Sequence, residues 1–141
     1  MIFITIEELK IRKFQSLVND VSEDNDYILN ELESFAIDEI KSYLKGRYDV
    51  EFIFNQKGIK RSPIIRRIAT DMMMCMLWER TNSNEIPDSM QERCDKNTTW
   101  LKDVSKGIIS PDLPVLDPKL EATTIFQGAS ESQFTNIDNI D

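Results

Sequence analysis

The residue types that could carry chemistry are few in this chain. No histidine occurs among its 141 residues, which removes the commonest general base and the commonest metal ligand. The carboxylates Glu31, Glu33, Asp38 and Glu39 ride one helical segment, and acids at such spacings usually form a solvated face rather than an acid–base pair. No EF-hand loop pattern supports a carboxylate-only metal site. Cys75 and Cys94 are too far apart for a C-x-x-C pair, and they read as two buried thiols kept in a reducing compartment. A dinucleotide-binding glycine motif and a P-loop are both absent. These observations set the expectation of a protein that is not an enzyme, with no catalytic, cofactor-binding or metal-ligating residues.

One cluster runs against the overall charge. The net charge is −8, yet Lys57, Lys60, Arg61, Arg66 and Arg67 stand together with no acid between residues 57 and 67. A solvated loop and helix N-terminus is one reading of such a run. Arg66 and Arg67, however, fall in the first turns of a helix, where the macrodipole disfavours cations. Residues placed against a local preference point to a partner, first an acidic protein surface and second passing DNA. The acidic whole argues against tight binding of nucleic acid over a large surface.

The elements that must position these residues are helical. Thr5 and Glu8 have capping-box spacing, and Ile6, Leu9, Phe14, Leu17 and Val18 give a first amphipathic segment, followed by turn chemistry over 19–25. A second helix is predicted over 26–45 from Leu29, Leu32, Ala36, Ile40 and Tyr43, with Gly46 as its C′ residue. Val50, Phe52 and Phe54 alternate with Glu51, Ile53 and Asn55, which predicts a short extended segment. Ser62-Pro63 opens a third helix. Its run 72–78 is apolar nearly all round, so it belongs at the centre of the fold, with Met72, Met73, Met74 and Met76 as core filling. Met90, Cys94, Asn97, Leu101 and Val104 form the seam of a fourth helix, closed by Gly107. The fold expectation is mainly α: a small bundle of about four helices with a short extended segment.

The composition changes beyond residue 110, dividing the chain into a helical domain, 1–110, and a C-terminal tail or arm, 111–141. The tail holds three prolines and six acids against the single base Lys119. Its β-prone stretches 123–127 and 133–137 can add a strand or hairpin to a neighbour, with Phe126 and Phe134 as anchors. Neither a basic leader nor an apolar run of signal length opens the chain. The longest apolar run, 72–78, is too short to span a bilayer.

The landmarks also come in a recognisable order. Ile-Thr-Ile-Glu-Glu-Leu-Lys stands near the start, and Tyr43-Leu44-Lys45-Gly46-Arg47-Tyr48 closes the long helix. Ser62-Pro63-Ile64-Ile65-Arg66-Arg67-Ile68-Ala69-Thr70-Asp71 opens the next, and Trp100-Leu101-Lys102-Asp103-Val104 precedes Lys106-Gly107-Ile108. Over about residues 2–110 this resembles the Mu-like group of phage head–tail connector proteins, also called head-completion or adaptor proteins. The resemblance implies a helical, non-catalytic virion protein assembled in the host cytoplasm and located at the neck. It implies a homo-oligomeric ring, typically a dodecamer, beneath the portal protein. Such a ring extends the DNA channel, lets genomic DNA pass without specific binding, and offers a platform to the next neck or tail protein. Cofactors and membrane are not implied. On this reading the candidate portal or subunit contacts are Arg47, Tyr48, Lys57, Lys60, Arg61, Arg66, Arg67, Phe126 and Phe134. The rival reading is a small cytosolic helical regulator or toxin-neutralising protein that binds one protein partner.

Overall fold

A computed structural model describes residues 2–10, 26–82 and 86–116. The expected tail strands with Phe126 and Phe134, and the first-helix contacts Phe14, Leu17 and Val18, lie outside the described residues. The helices are α1 (Ile6–Lys10), α2 (Asp26–Leu44), α3 (Val50–Asn55), α4 (Pro63–Asn82) and α5 (Asp88–Ser105), with a 3-10 turn at Gly58–Lys60. The fold is the small helical bundle read from the sequence. Among the described residues no helix is long and apolar enough to cross a membrane.

Three helices make the body, because α2, α4 and α5 each pack against the other two. α2 contributes Leu29, Leu32, Ala36, Ile37, Ile40 and Leu44, the three-and-four spacing of one buried face. α4 is the central helix: Ile65, Ile68, Ala69, Met73, Met74 and Leu77 are all essentially buried, and Met72 nearly so. α5 brings Met90, Asn97, Leu101 and Val104. Short α1 rests on α4 and short α3 on α2.

The extended segment expected at Val50–Phe54 is instead helix α3. The Asp49 side chain caps it, accepting from the Phe52 amide at 3.1 Å. The buried residues are Ile53 and Phe54, with Val50 half-buried and Phe52 half-exposed. The inward set is therefore 50, 53 and 54, a helical spacing that the 50–52–54 alternation concealed. Gly46 stands just past the end of α2, as expected, but without a positive φ. Among the described residues Gly58 and Gly107 take positive φ, at 58° and 80°, and α2 ends at Leu44 with the Tyr48 amide bonded back to the Leu44 carbonyl at 2.9 Å. Gly107 does close α5 as expected.

The cysteines need a second correction. Cys75 on α4 and Cys94 on α5 are joined as a disulfide and are half-buried, whereas their separation in sequence suggested two independent buried thiols. The α4–α5 hairpin folds the 19-residue separation back on itself and sets the two side chains facing each other.

Candidate docking surface

The basic cluster does not stay together in three dimensions. It divides between a clasp that holds the N-terminal segment and an exposed edge. The clasp is built on Glu8. Its carboxylate accepts from the Thr5 amide at 2.8 Å, while the Thr5 hydroxyl accepts from the Glu8 amide at 3.2 Å, so the expected capping box forms. The same carboxylate bridges Arg61 and Arg66, each with Nη1 at 3.0 Å. Burial alone would push the Glu8 carboxyl up, but hydrogen bonds from Arg61, the Thr5 backbone, Arg66 and the Thr5 hydroxyl outweigh it and bring its pKa down to about 2. A carboxyl held so low is a charge anchor and not a base for work near neutrality. It also supplies the negative charge that the cation-bearing first turns of α4 lack.

Arg61 is committed further. Its Nη1 donates to the Phe3 carbonyl, its Nε donates to the Gly58 carbonyl at 2.7 Å, and its guanidinium lies 5.9 Å from the Phe3 ring centre. Lys57 donates from Nζ to the Ile2 carbonyl at 3.0 Å. From the other side Glu33 accepts from the amides of Ile2, Phe3 and Ile4 at 2.7, 2.9 and 2.6 Å. Glu33 was grouped in the sequence with solvated acids, yet its side chain is only 3% exposed. The signal was present: Glu33 lies four residues after Leu29, three before Ala36 and seven before Ile40, on the buried face.

What faces solvent from the cluster is Lys57, Lys60 and Arg67, all exposed, together with Ile59 at 99% exposure on the 3-10 turn. Gly58, at φ 58°, allows the sharp turn that presents Ile59. Arg47 and Tyr48 lie elsewhere. Tyr48 is buried and forms an isolated antiparallel bridge with Val115, flanked by Asp49 N to Pro114 O at 2.9 Å and Leu116 N to Arg47 O at 3.2 Å. Tyr48 is thus packed inside the protomer. Residues 111–116 run back along the body, with Leu113 buried. Arg47 is exposed and donates to the Ser105 carbonyl at 3.3 Å.

A further polar site escaped the sequence reading. Asp71, 1% exposed in the middle of α4, accepts from the Asn97 side-chain amide at 3.0 Å and faces Arg93 at 3.6 Å. An acid between Ala69 and Met72 in an otherwise apolar helix was the available sign. These arrangements fix chain segments and present surfaces. They do not bring a nucleophile to a base.

The model of the family described as Bacteriophage Mu, Gp36 matches residues 5–127. The chain belongs to the bacteriophage Mu Gp36 family. It is therefore a Mu-like phage protein of structural or assembly type. The Gp36 match runs past residue 110, where the resemblance read from the landmarks ended, and includes Phe126. No curated protein and no solved structure matches the chain.

Proposed function

We propose that this Gp36-family chain is a head-to-tail connector. Copies form a ring under the portal, extend the DNA channel and give the next neck or tail protein its seat. Beyond the family, the observation that supports this reading is the contrast between a closed interior and an unfinished exterior. The core is continuous across all the helices of the body. Outside, Ile2, Tyr27, Phe35, Phe52, Ile59, Ile108 and Val115 are each more than half exposed. Single exposed apolar residues are ordinary, but the aromatic rings of Tyr27, Phe35 and Phe52 are of the type enriched in protein interfaces. The Lys57–Arg67 edge points the same way, because Arg61 and Arg66 are already engaged by Glu8 and the outward charges are left for a protein partner. The DNA passing the lumen then meets an acidic chain that does not hold it.

Mass measurement of the purified full chain by light scattering, with imaging of the phage neck, tests the proposal. A closed ring in the neck between portal and tail supports it. A chain absent from particles, or one that only pairs with a single non-virion protein, overturns it in favour of the regulator reading.

A further inference from the structure

Two features remain unused by the fold, and they are complementary. The first is the tip of the 3-10 turn Gly58–Lys60. Ile59 is 99% exposed and touches almost nothing in its own chain, and Lys57 and Lys60 flank it. Single exposed aliphatic residues are common on protein surfaces, but this one is held at the apex of a turn that a left-handed glycine makes, inside a collar of cations. The second is a groove of about 200 Å³ between the C-terminal half of α4, α5 and the side of α2. Met72, Met76 and Ile86 give it an apolar floor, and Glu39, Glu79 and Asp95 stand at its rim. None of the residues lining it is basic.

We infer that the groove receives the Ile59 tip of a second copy of this chain, with Lys57 and Lys60 set against Glu39, Glu79 and Asp95. The inference rests on the ring reading and names its interface. Shape and charge agree: an aliphatic knob collared by cations meets an apolar slot rimmed by carboxylates. Apolar contact at the centre supplies affinity, and the charges set partner and register. The placement of the two features makes the contact intermolecular. Met72 and Met76 lie nine to thirteen residues into α4, so the groove is roughly 15–20 Å along the helix axis from the start of α4, beside which the knob projects. A chain cannot fill its own groove. A contact that joins two different patches is heterologous, and repetition of a heterologous contact generates a ring when the rotation closes.

The test uses the full chain, sedimentation velocity and native mass spectrometry. Ile59→Asp should weaken self-association at least about tenfold while leaving the melting temperature of the dissociated protomer unchanged, since the side chain is exposed there. Lys60→Glu alone, and Glu79→Lys with Asp95→Lys, should each weaken assembly. An equimolar mixture of those two variants should recover it, with the copies alternating, because residue 60 then faces charges of opposite sign at positions 79 and 95 in every contact. Lys57 is left unaltered because it also holds the Ile2 carbonyl. Ile59→Asp rings that persist at undiminished affinity, or a mixture that fails to recover, overturn the knob and groove and leave the ring in place. A wild-type chain that forms no higher assembly removes the ring reading as well.

Discussion

Arg47 lies across Gly107: a Cβ built on that glycine would stand 2.9 Å from the Arg47 Nη2 atom and 3.1 Å from its Cζ. The arginine that follows α2 thus closes a different helix, α5, by donating to the Ser105 carbonyl at 3.3 Å, where a cation meets the negative end of the macrodipole. Gly107→Ala should destabilise the fold by about 1 kcal/mol, chiefly because φ is 80° there. The guanidinium is the far end of a flexible side chain and can move aside. The cost should therefore be nearly the same in an Arg47→Ala background. Denaturant melts of the four proteins check this. A cost that disappears once Arg47 is gone would show that crowding, and not backbone strain, requires the glycine.

Glu8 makes stability depend on pH in a defined window. Its pKa falls from 4.5 to about 2 on folding, so its contribution is complete above 4.5 and is lost as the pH drops through about 2. Glu8→Gln should melt lower than wild type at pH 7. The gap between the two should narrow from pH 4.5 downward and close near pH 2. A gap of constant size across that range would mean that the ionised carboxylate is not what holds Arg61 and Arg66.

The Glu33 carboxylate gathers three successive backbone amides, those of Ile2, Phe3 and Ile4. Glu33→Ala would leave them buried or half-buried without an acceptor, at a cost of roughly 2–4 kcal/mol. Glu33→Gln should cost less, since one oxygen remains and a single oxygen, Oε2, already serves both Phe3 and Ile4. Amide hydrogen exchange reads the effect directly. Residues 2–4 should exchange faster in Glu33→Ala before the bundle helices do. Uniform acceleration through the whole chain would argue against a local clasp.

The bundle was legible in the sequence because burial of α2, α4 and α5 follows from periodicity, and periodicity is a one-dimensional property. The clasp was not. It depends on which carboxylate meets which cation, and Glu8 and Arg61 are 53 residues apart. The five bases were visible as a group, but only the fold divides them into Arg61 and Arg66, which pair with Glu8, and Lys57, Lys60 and Arg67, which are exposed. The α3 misreading has a local cause. Three apolar residues at every second position fit a strand, and the Asp49 cap that selects a helix is a single side-chain hydrogen bond.

The disulfide between Cys75 and Cys94 encloses the turn between α4 and α5, at a sequence separation of 19. Closing a loop of that length restricts the unfolded chain by about 3 kcal/mol. Oxidised protein should therefore melt higher than protein kept in a thiol reductant, and Cys75→Ser should match the reduced form. Equal melting points with and without reductant would show that the pair is not closed in solution.

Asp71 and Asn97 join α4 to α5 inside the core at 3.0 Å, with Arg93 at the edge of the pair at 3.6 Å. A carboxylate that is 1% exposed is expensive to bury, and it is tolerated where donors surround it. Asn97→Ala removes one donor and should destabilise the fold by roughly 2–3 kcal/mol, and Asp71→Ala should do so by a similar amount through the amide left behind. The two losses should not add. Once either partner is gone, removal of the other relieves a buried polar group that has lost its mate, so the double variant should be at least about 1 kcal/mol more stable than the sum predicts. Strict additivity would show that the two side chains are held independently of each other.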